Sequence, residues 1–159
     1  MGDKEKTEKA EEERPLLLFS VWTLSHNVGG LMEQALAEAP LTPEEFGFYS
    51  AVFVNKPVTP AALAELAGMP ATTVSSYLNR LIERGHITKR RNPKDGRSFL
   101  VELTKEGEKA VKETWLRFVP AEDAVFEALA LPPAEAVEAL STITEAVQAA
   151  MRTHDRSQP

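Results

Sequence analysis

Cysteine is absent from the 159 residues, which excludes disulfides, thiolate metal sites and thiol-based redox sensing together. Histidine is scarce: His26, His86 and His154 are the three present, and their scatter matches no zinc-ligand spacing, so neither a metal nor a cofactor is expected. Long apolar runs are missing as well. No stretch approaches the roughly 18 consecutive apolar residues of a membrane span, and Met1 to Arg14 is a mixed-charge run without the apolar centre of a signal peptide. The chain therefore reads as cytoplasmic, with no membrane partner. Enzyme signatures are lacking too: there is no phosphate-cradling glycine loop, no His-Glu-x-x-His, no Gly-x-Ser-x-Gly and no nucleophile spaced for a base. No catalytic residue is expected. What is present is ordinary for a globular chain, with 43% hydrophobic and 26% charged residues, and the length suits one core plus an added dimer-forming element.

Charge is distributed unevenly. The formal total is -6, a sign that opposes phosphate binding, since binding to a duplex draws on released counterions and needs cations facing it. Between Pro70 and Lys105, however, eight Lys and Arg meet three Asp and Glu. A basic segment in an acidic body points to a localised polyanion site, the remaining surface repelling the polyanion and so setting its orientation.

Along the chain, the charged head 1–14 has the composition of a disordered tail. From Pro15, apolar residues recur at helical spacing (Leu16, Phe19, Trp22, Leu24, Val28, Leu31) and predict a long helix ending before Pro40, with a stripe wide enough to be buried on more than one side. Thr42-Pro43-Glu44-Glu45 is a capping box opening a second helix, and Thr59-Pro60 opens a third that stops at Gly68. A fourth starts at Pro70 with Val74, Leu78, Leu81 and Ile82 on one face. Two short helices across a tight glycine-containing turn form the helix-turn-helix outline. After Gly85, two β-rich runs flank Asn92-Pro93-Lys94-Asp95-Gly96 and predict a hairpin with a basic tip. Thr104 caps a further helix expected to run to about Phe118 before Pro120 interrupts it. Leu131-Pro132-Pro133 marks another break, ahead of an Ala-rich helix from Ala134 to Met151 and a frayed tail, 153–159.

The residues Leu63-Ala64-Glu65-Leu66-Ala67-Gly68-Met69, Thr73-Val74-Ser75, Arg80-Leu81, Arg84-Gly85, Asp95-Gly96-Arg97-Ser98 and Leu103-Thr104-Lys105-Glu106-Gly107 resemble, in order and spacing, the MarR family of bacterial transcriptional regulators. The resemblance spans about Thr42 to Val111. It implies a mainly α fold with a small β-wing: a winged helix-turn-helix lobe (41–111) between dimerisation helices (15–40 and 112–152). It also implies a homodimer that binds double-stranded DNA at a pseudo-palindromic operator, commonly as a repressor.

On that reading, Ala71, Thr72, Thr73, Ser75 and Ser76 open the recognition helix and approach base edges or phosphates in the major groove. They lack the bidentate reach of Arg, Asn or Gln, so direct readout should be modest. Two positions depart from the family's habit: Ser76 stands where Arg is common, and Pro70 where a hydroxyl or carboxylate usually caps the helix. Lys89, Arg90, Arg91 and Lys94, with Arg80, would contact phosphates. Arg97 would enter a minor groove from the wing tip, and Asp95 would hold an arginine in place, either Arg97 or Arg80.

The family's effectors are often small aromatic or phenolic molecules. Trp22, His26, Phe48, Tyr49, Trp115 and Phe118 are the candidates to line such a site, although each is also a natural core or interface residue. A winged helix that docks an acidic protein in place of an operator is the competing reading, and the salt dependence of duplex binding separates the two.

Overall fold

The computed structural model describes residues 15–155; the charged head and the last four residues lie outside the described residues. Six helices and one hairpin follow in chain order: α1 (Leu17–Ala35), α2 (Pro43–Asn55), α3 (Pro60–Ala67), α4 (Ala71–Glu83), β1 (Ile87–Arg91), β2 (Phe99–Leu103), α5 (Lys105–Ala128) and α6 (Pro133–Asp155).

The local signals that start these helices work as their chemistry requires. The Thr42 hydroxyl accepts the Glu45 N–H while the Glu45 carboxylate accepts the Thr42 N–H, a complete capping box. Thr59 accepts the Ala62 N–H, and Gly68 closes α3 in the left-handed region at φ 62°. Pro70 caps α4 without a side-chain bond, leaving the first N–H groups of α4 without a side-chain acceptor from the cap. Thr104 has a double role: its hydroxyl accepts the Gly107 N–H at 3.2 Å and donates to the Gly85 carbonyl at 2.8 Å, joining the start of α5 to the end of α4. Thr104→Val keeps the shape and removes both bonds, so it should cost about 2 kcal/mol. Thermal unfolding checks this, with an expected fall of roughly 4–8 °C at this size.

The strands pair antiparallel in the register Ile87↔Leu103 to Arg91↔Phe99. A third extended segment joins them: the Val58 N–H donates to the Val101 carbonyl at 3.1 Å, and the Val101 N–H returns a bond at 2.8 Å. The sequence pattern showed only a break there, because one paired residue after Pro57 is too short for period-two alternation.

A larger departure concerns α5, which continues through Pro120 to Ala128 where the pattern suggested an end near Phe118. Proline removes the bond to the carbonyl four residues back and crowds it. That carbonyl belongs to Leu116; both Leu116, 72% exposed, and Pro120 lie on the outer side of the helix, which continues past the proline. The first helix is also shorter than its apolar stripe, stopping at Ala35; Leu36 and Leu41 then turn into the core.

Buried residues run from Leu36 to Thr114 and form one cluster, in which Phe46, Phe48, Tyr49 and Val52 of α2 meet Leu63, Val74, Leu78 and Leu81 of the helix pair and Val101 of the wing. Neither α1 nor α6 contributes a buried side chain. The core thus belongs to the helix-turn-helix, and α6 makes no more than marginal contact with the other elements.

Candidate nucleic-acid interface

Recognition-helix geometry follows from the amphipathic pattern of α4. Val74, Tyr77, Leu78 and Leu81 anchor one side in the core, which turns Ala71, Thr72, Ser75, Ser76 and Arg80 outward, all exposed, with Thr73 half-buried at the boundary. Thr72, Ser76 and Arg80 stand four residues apart and so form one stripe along the helix. The outer face is therefore short hydroxyl side chains for two turns and then a guanidinium.

Several contacts that sequence reasoning missed hold this helix in place. Arg84, at its C-cap, donates to the Glu45 carboxylate at 2.7 Å, binding the end of α4 to the first turn of α2. The carboxylate beside it holds the Arg84 guanidinium even more firmly protonated than usual. The Tyr49 hydroxyl and His86 Nδ1 lie 2.7 Å apart, pinning the link between α4 and β1 to the core of α2. Burial pushes the Tyr49 phenol above its ordinary pKa, so it stays neutral. No local pattern announces such pairs, since Tyr49 and His86 are 37 residues apart.

The wing tip is ordered by two side-chain turns. The Asn92 carbonyl oxygen accepts the Lys94 N–H, and an Asp95 carboxylate oxygen accepts the Arg97 N–H, each at 3.0 Å. Asn92 also donates to the Ser98 hydroxyl at 2.8 Å. Asp95 was expected to fix a guanidinium; its side chain instead bonds the backbone two residues on, and it makes no ion pair with Arg97 or Arg80 among the described residues. The physical reason is proximity: an Asx turn uses a donor already within reach, whereas holding an arginine would order a long chain.

The wing's cations therefore fall into two groups. Arg90 pairs with Glu102 across the strands at 3.3 Å, and Lys89 lies over the Phe99 ring at 4.9 Å. Arg91, Lys94 and Arg97 are exposed and make no ion pair among the described residues; Arg91 runs beside Gly96, its Nη2 3.3 Å from where a β-carbon would sit. Three guanidinium or ammonium groups at or beside the tip are thus free for an external anion.

The six aromatic and histidine candidates for an effector site fall into three groups of ring contacts among the described residues. Trp22 and His26 meet on the exposed side of α1, ring centres 4.3 Å apart and planes tilted by 47°, where His26 Nδ1 lies 3.0 Å from the Trp22 carbonyl. Trp115 and Phe118 form a second group with Phe46. Phe48 and Tyr49 lie in the lobe's core, Phe48 stacked on Tyr77 at 5.1 Å. Among the described residues, no cluster of His, Asp or Glu is arranged to hold a metal ion, and no helix is long and apolar enough to cross a membrane.

A helix pair with an exposed second helix, followed by a hairpin of basic tip, defines a winged helix-turn-helix protein. Residues 39–98 match the sequence profile of the MarR family, whereas no curated protein matches the sequence. Solved structures match across nearly the whole chain. The M. tuberculosis transcriptional regulator MOSR in complex with DNA superposes with a TM-score of 0.71 at 18% identity, over 86% of this chain and 98% of that one. The transcriptional repressor CouR bound to a 23-mer DNA duplex follows at 0.67 and 22%, over 84% and 92%. The PcaV transcriptional regulator from Streptomyces coelicolor, in complex with its natural ligand, gives 0.64 and 23%, over 87% and 95%. At these identities the likeness establishes the fold, while the profile match speaks for the family. Residues 39–98 are thus similar to the MarR family, and the chain as a whole shares the winged helix-turn-helix fold of these solved transcriptional regulators.

Proposed function

We propose that this regulator acts in the cytoplasm as a homodimer on a pseudo-palindromic operator and represses the genes beside it. The observation that carries the operator reading is the pairing of an outward hydroxyl and arginine face on α4 with three uncommitted cations at or beside the wing tip. The helix suits a major groove, and the tip suits the adjacent minor groove or its phosphates. Asp95 serves this site by shaping the tip, and Arg90 and Lys89 add to its positive field while partly engaged within the hairpin.

Support for the homodimer comes from apolar side chains that no described part of the chain covers. Leu16 is 70% exposed, Trp22 55%, Leu116 72% and Val137 58%, and exposed apolar surface of this extent marks an interaction site. Segments 15–40 and 112–152 are the dimerisation region of this reading, and 41–111 the DNA-binding lobe. A small aromatic effector belongs between them, and Trp22, His26, Trp115 and Phe118 are the residues placed to meet one; Phe48 and Tyr49 act through the core behind them. Ligand binding by PcaV supports the existence of such a site in this fold.

Capture of genomic fragments followed by a mobility-shift titration tests the proposal. Affinity for the captured duplex should fall log-linearly with salt and survive competition from random DNA. Arg97→Ala should weaken that binding by about 10-fold or more, corresponding to roughly 1–3 kcal/mol. Arg90→Ala should cost less, because Glu102 already engages that side chain. Equal binding to any acidic polymer, with no preferred duplex, would replace this reading with that of a protein-docking module.

A further inference from the structure

We propose that Tyr77 is a positioning residue for DNA recognition, holding the Arg80 guanidinium on an aromatic platform so that a cation is presented ready-oriented on the reading face of α4. The inference rests on the operator reading above and specifies how one of its contacts is prepared.

Three side chains form the platform. Phe48, almost wholly buried in α2, stacks on the Tyr77 ring with centroids 5.1 Å apart and planes 22° from parallel. The Arg80 guanidinium carbon lies 4.5 Å from the centre of the same Tyr77 ring. Tyr77 is 7% exposed, so its ring is fixed by the core on one side and offers what remains to Arg80. The Glu44 carboxylate and the Arg80 side chain both lie beside its hydroxyl. Arg80 itself makes no ion pair among the described residues.

The consequence follows from what an exposed arginine otherwise does. A free guanidinium on a long chain samples many rotamers, and a phosphate that binds it must offset the entropy of ordering it. A carboxylate would order it but also neutralise it. An aromatic face orders it without cancelling its charge, leaving the N–H edge available to an anion. Asp95, the carboxylate expected to serve as clamp, is occupied by the Arg97 N–H, so orientation of Arg80 falls to Tyr77. The spacing favours it: residues three apart on a helix are neighbours on its surface.

The test is a double-mutant cycle on binding to a labelled random-sequence duplex of about 30 base pairs, long enough for two half-sites, at several salt concentrations. Tyr77→Leu should weaken binding about 2- to 10-fold, the range set by losing a cation–π contact and ordering one long side chain. Arg80→Ala should weaken it further and make the log–log salt slope shallower by about 2, one contact being lost from each of the two subunits. In the Arg80→Ala background, Tyr77→Leu should then change affinity by less than about 1.5-fold, because independent effects add and effects through one another do not. Tyr77→Phe should bind like the wild type, since the ring carries the contact. Tyr77→Met serves as the second aliphatic variant if Tyr77→Leu does not fold.

A loss of the same size in both backgrounds would mean Tyr77 supports only the fold, and would overturn the proposal. No loss from Tyr77→Leu, or an equal loss from Tyr77→Phe, would also overturn it. Failure of the wild-type chain to bind any duplex would instead overturn the operator reading itself.

Discussion

Gly107→Ala should destabilise the protein by about 2–3 kcal/mol, the range of overpacking a rigid site, and lower its melting temperature by roughly 4–12 °C. A β-carbon at Gly107 would lie 2.3 Å from the His86 carbonyl oxygen and 3.3 Å from a methyl of Leu103. The first contact is with backbone, and that carbonyl is already held by the Thr104 N–H at 2.9 Å, so it cannot retreat without opening the junction of α4, the wing and α5. Alanine would otherwise favour a helical position by roughly 1 kcal/mol over glycine, and the clash must outweigh that gain. Gly47→Ala provides the opposite control: it lies within α2, and a β-carbon there meets nothing within 4 Å. It should stabilise by up to about 1 kcal/mol. Melting curves of both variants decide the matter; equal shifts would show that the close approach at His86 is unimportant.

On the proposed homodimer, the double variant Val137→Asp with Leu140→Asp should separate the two chains and lower affinity for the proposed operator by about 100-fold or more, the scale set by losing one of two half-sites. Both side chains lie exposed on α6, at 58% and 46%, and α6 scarcely touches the rest of its own chain. An isolated 23-residue helix gains little stability from propensity alone and needs a surface to cover its apolar face. Covering each Val or Leu is worth about 1.5–3 kcal/mol, and an unpaired buried carboxylate would reverse that sign. Because neither side chain belongs to the lobe's core, the winged helix should stay folded. Sedimentation should report monomer where the wild type is dimeric, with the lobe's near-ultraviolet spectrum retained. A variant that remains dimeric, or a wild type that is already monomeric at micromolar concentration, would exclude α6 from the interface.

Much of the winged helix-turn-helix lobe was legible because its signals are local. Thr42, Thr59 and Thr104 cap helices through bonds to residues three positions on. Gly68 turns left-handed at a position one residue past its helix, and the Asn92 to Ser98 turn closes on its own side chains. The same locality explains the different end at Pro120: proline is a local stop signal, yet it lies on the exposed side of α5, and only the placement of α5 revealed that. Asp95 shows the reverse case, where the family's pattern implied a distant partner and a nearer backbone donor prevailed. The candidate effector residues rest on the family resemblance and on residue type, neither of which can say that Phe48 and Tyr49 lie in the lobe's core while Trp22 and His26 stand exposed on another helix.

Sequence alone thus determined where the helices start, which face of α4 is apolar and where positive charge gathers, since each depends on neighbours a few residues apart. Tertiary structure decided which cations stay free, because Arg90 meets Glu102 across a strand pair while the Arg97 side chain makes no ion pair among the described residues. It also decided that Arg80 rests on Tyr77, whose ring is fixed from behind by Phe48. The Arg90–Glu102 and Phe48–Tyr77 contacts join residues well separated in the chain, and their energies depend on distances that no pattern of residue types encodes.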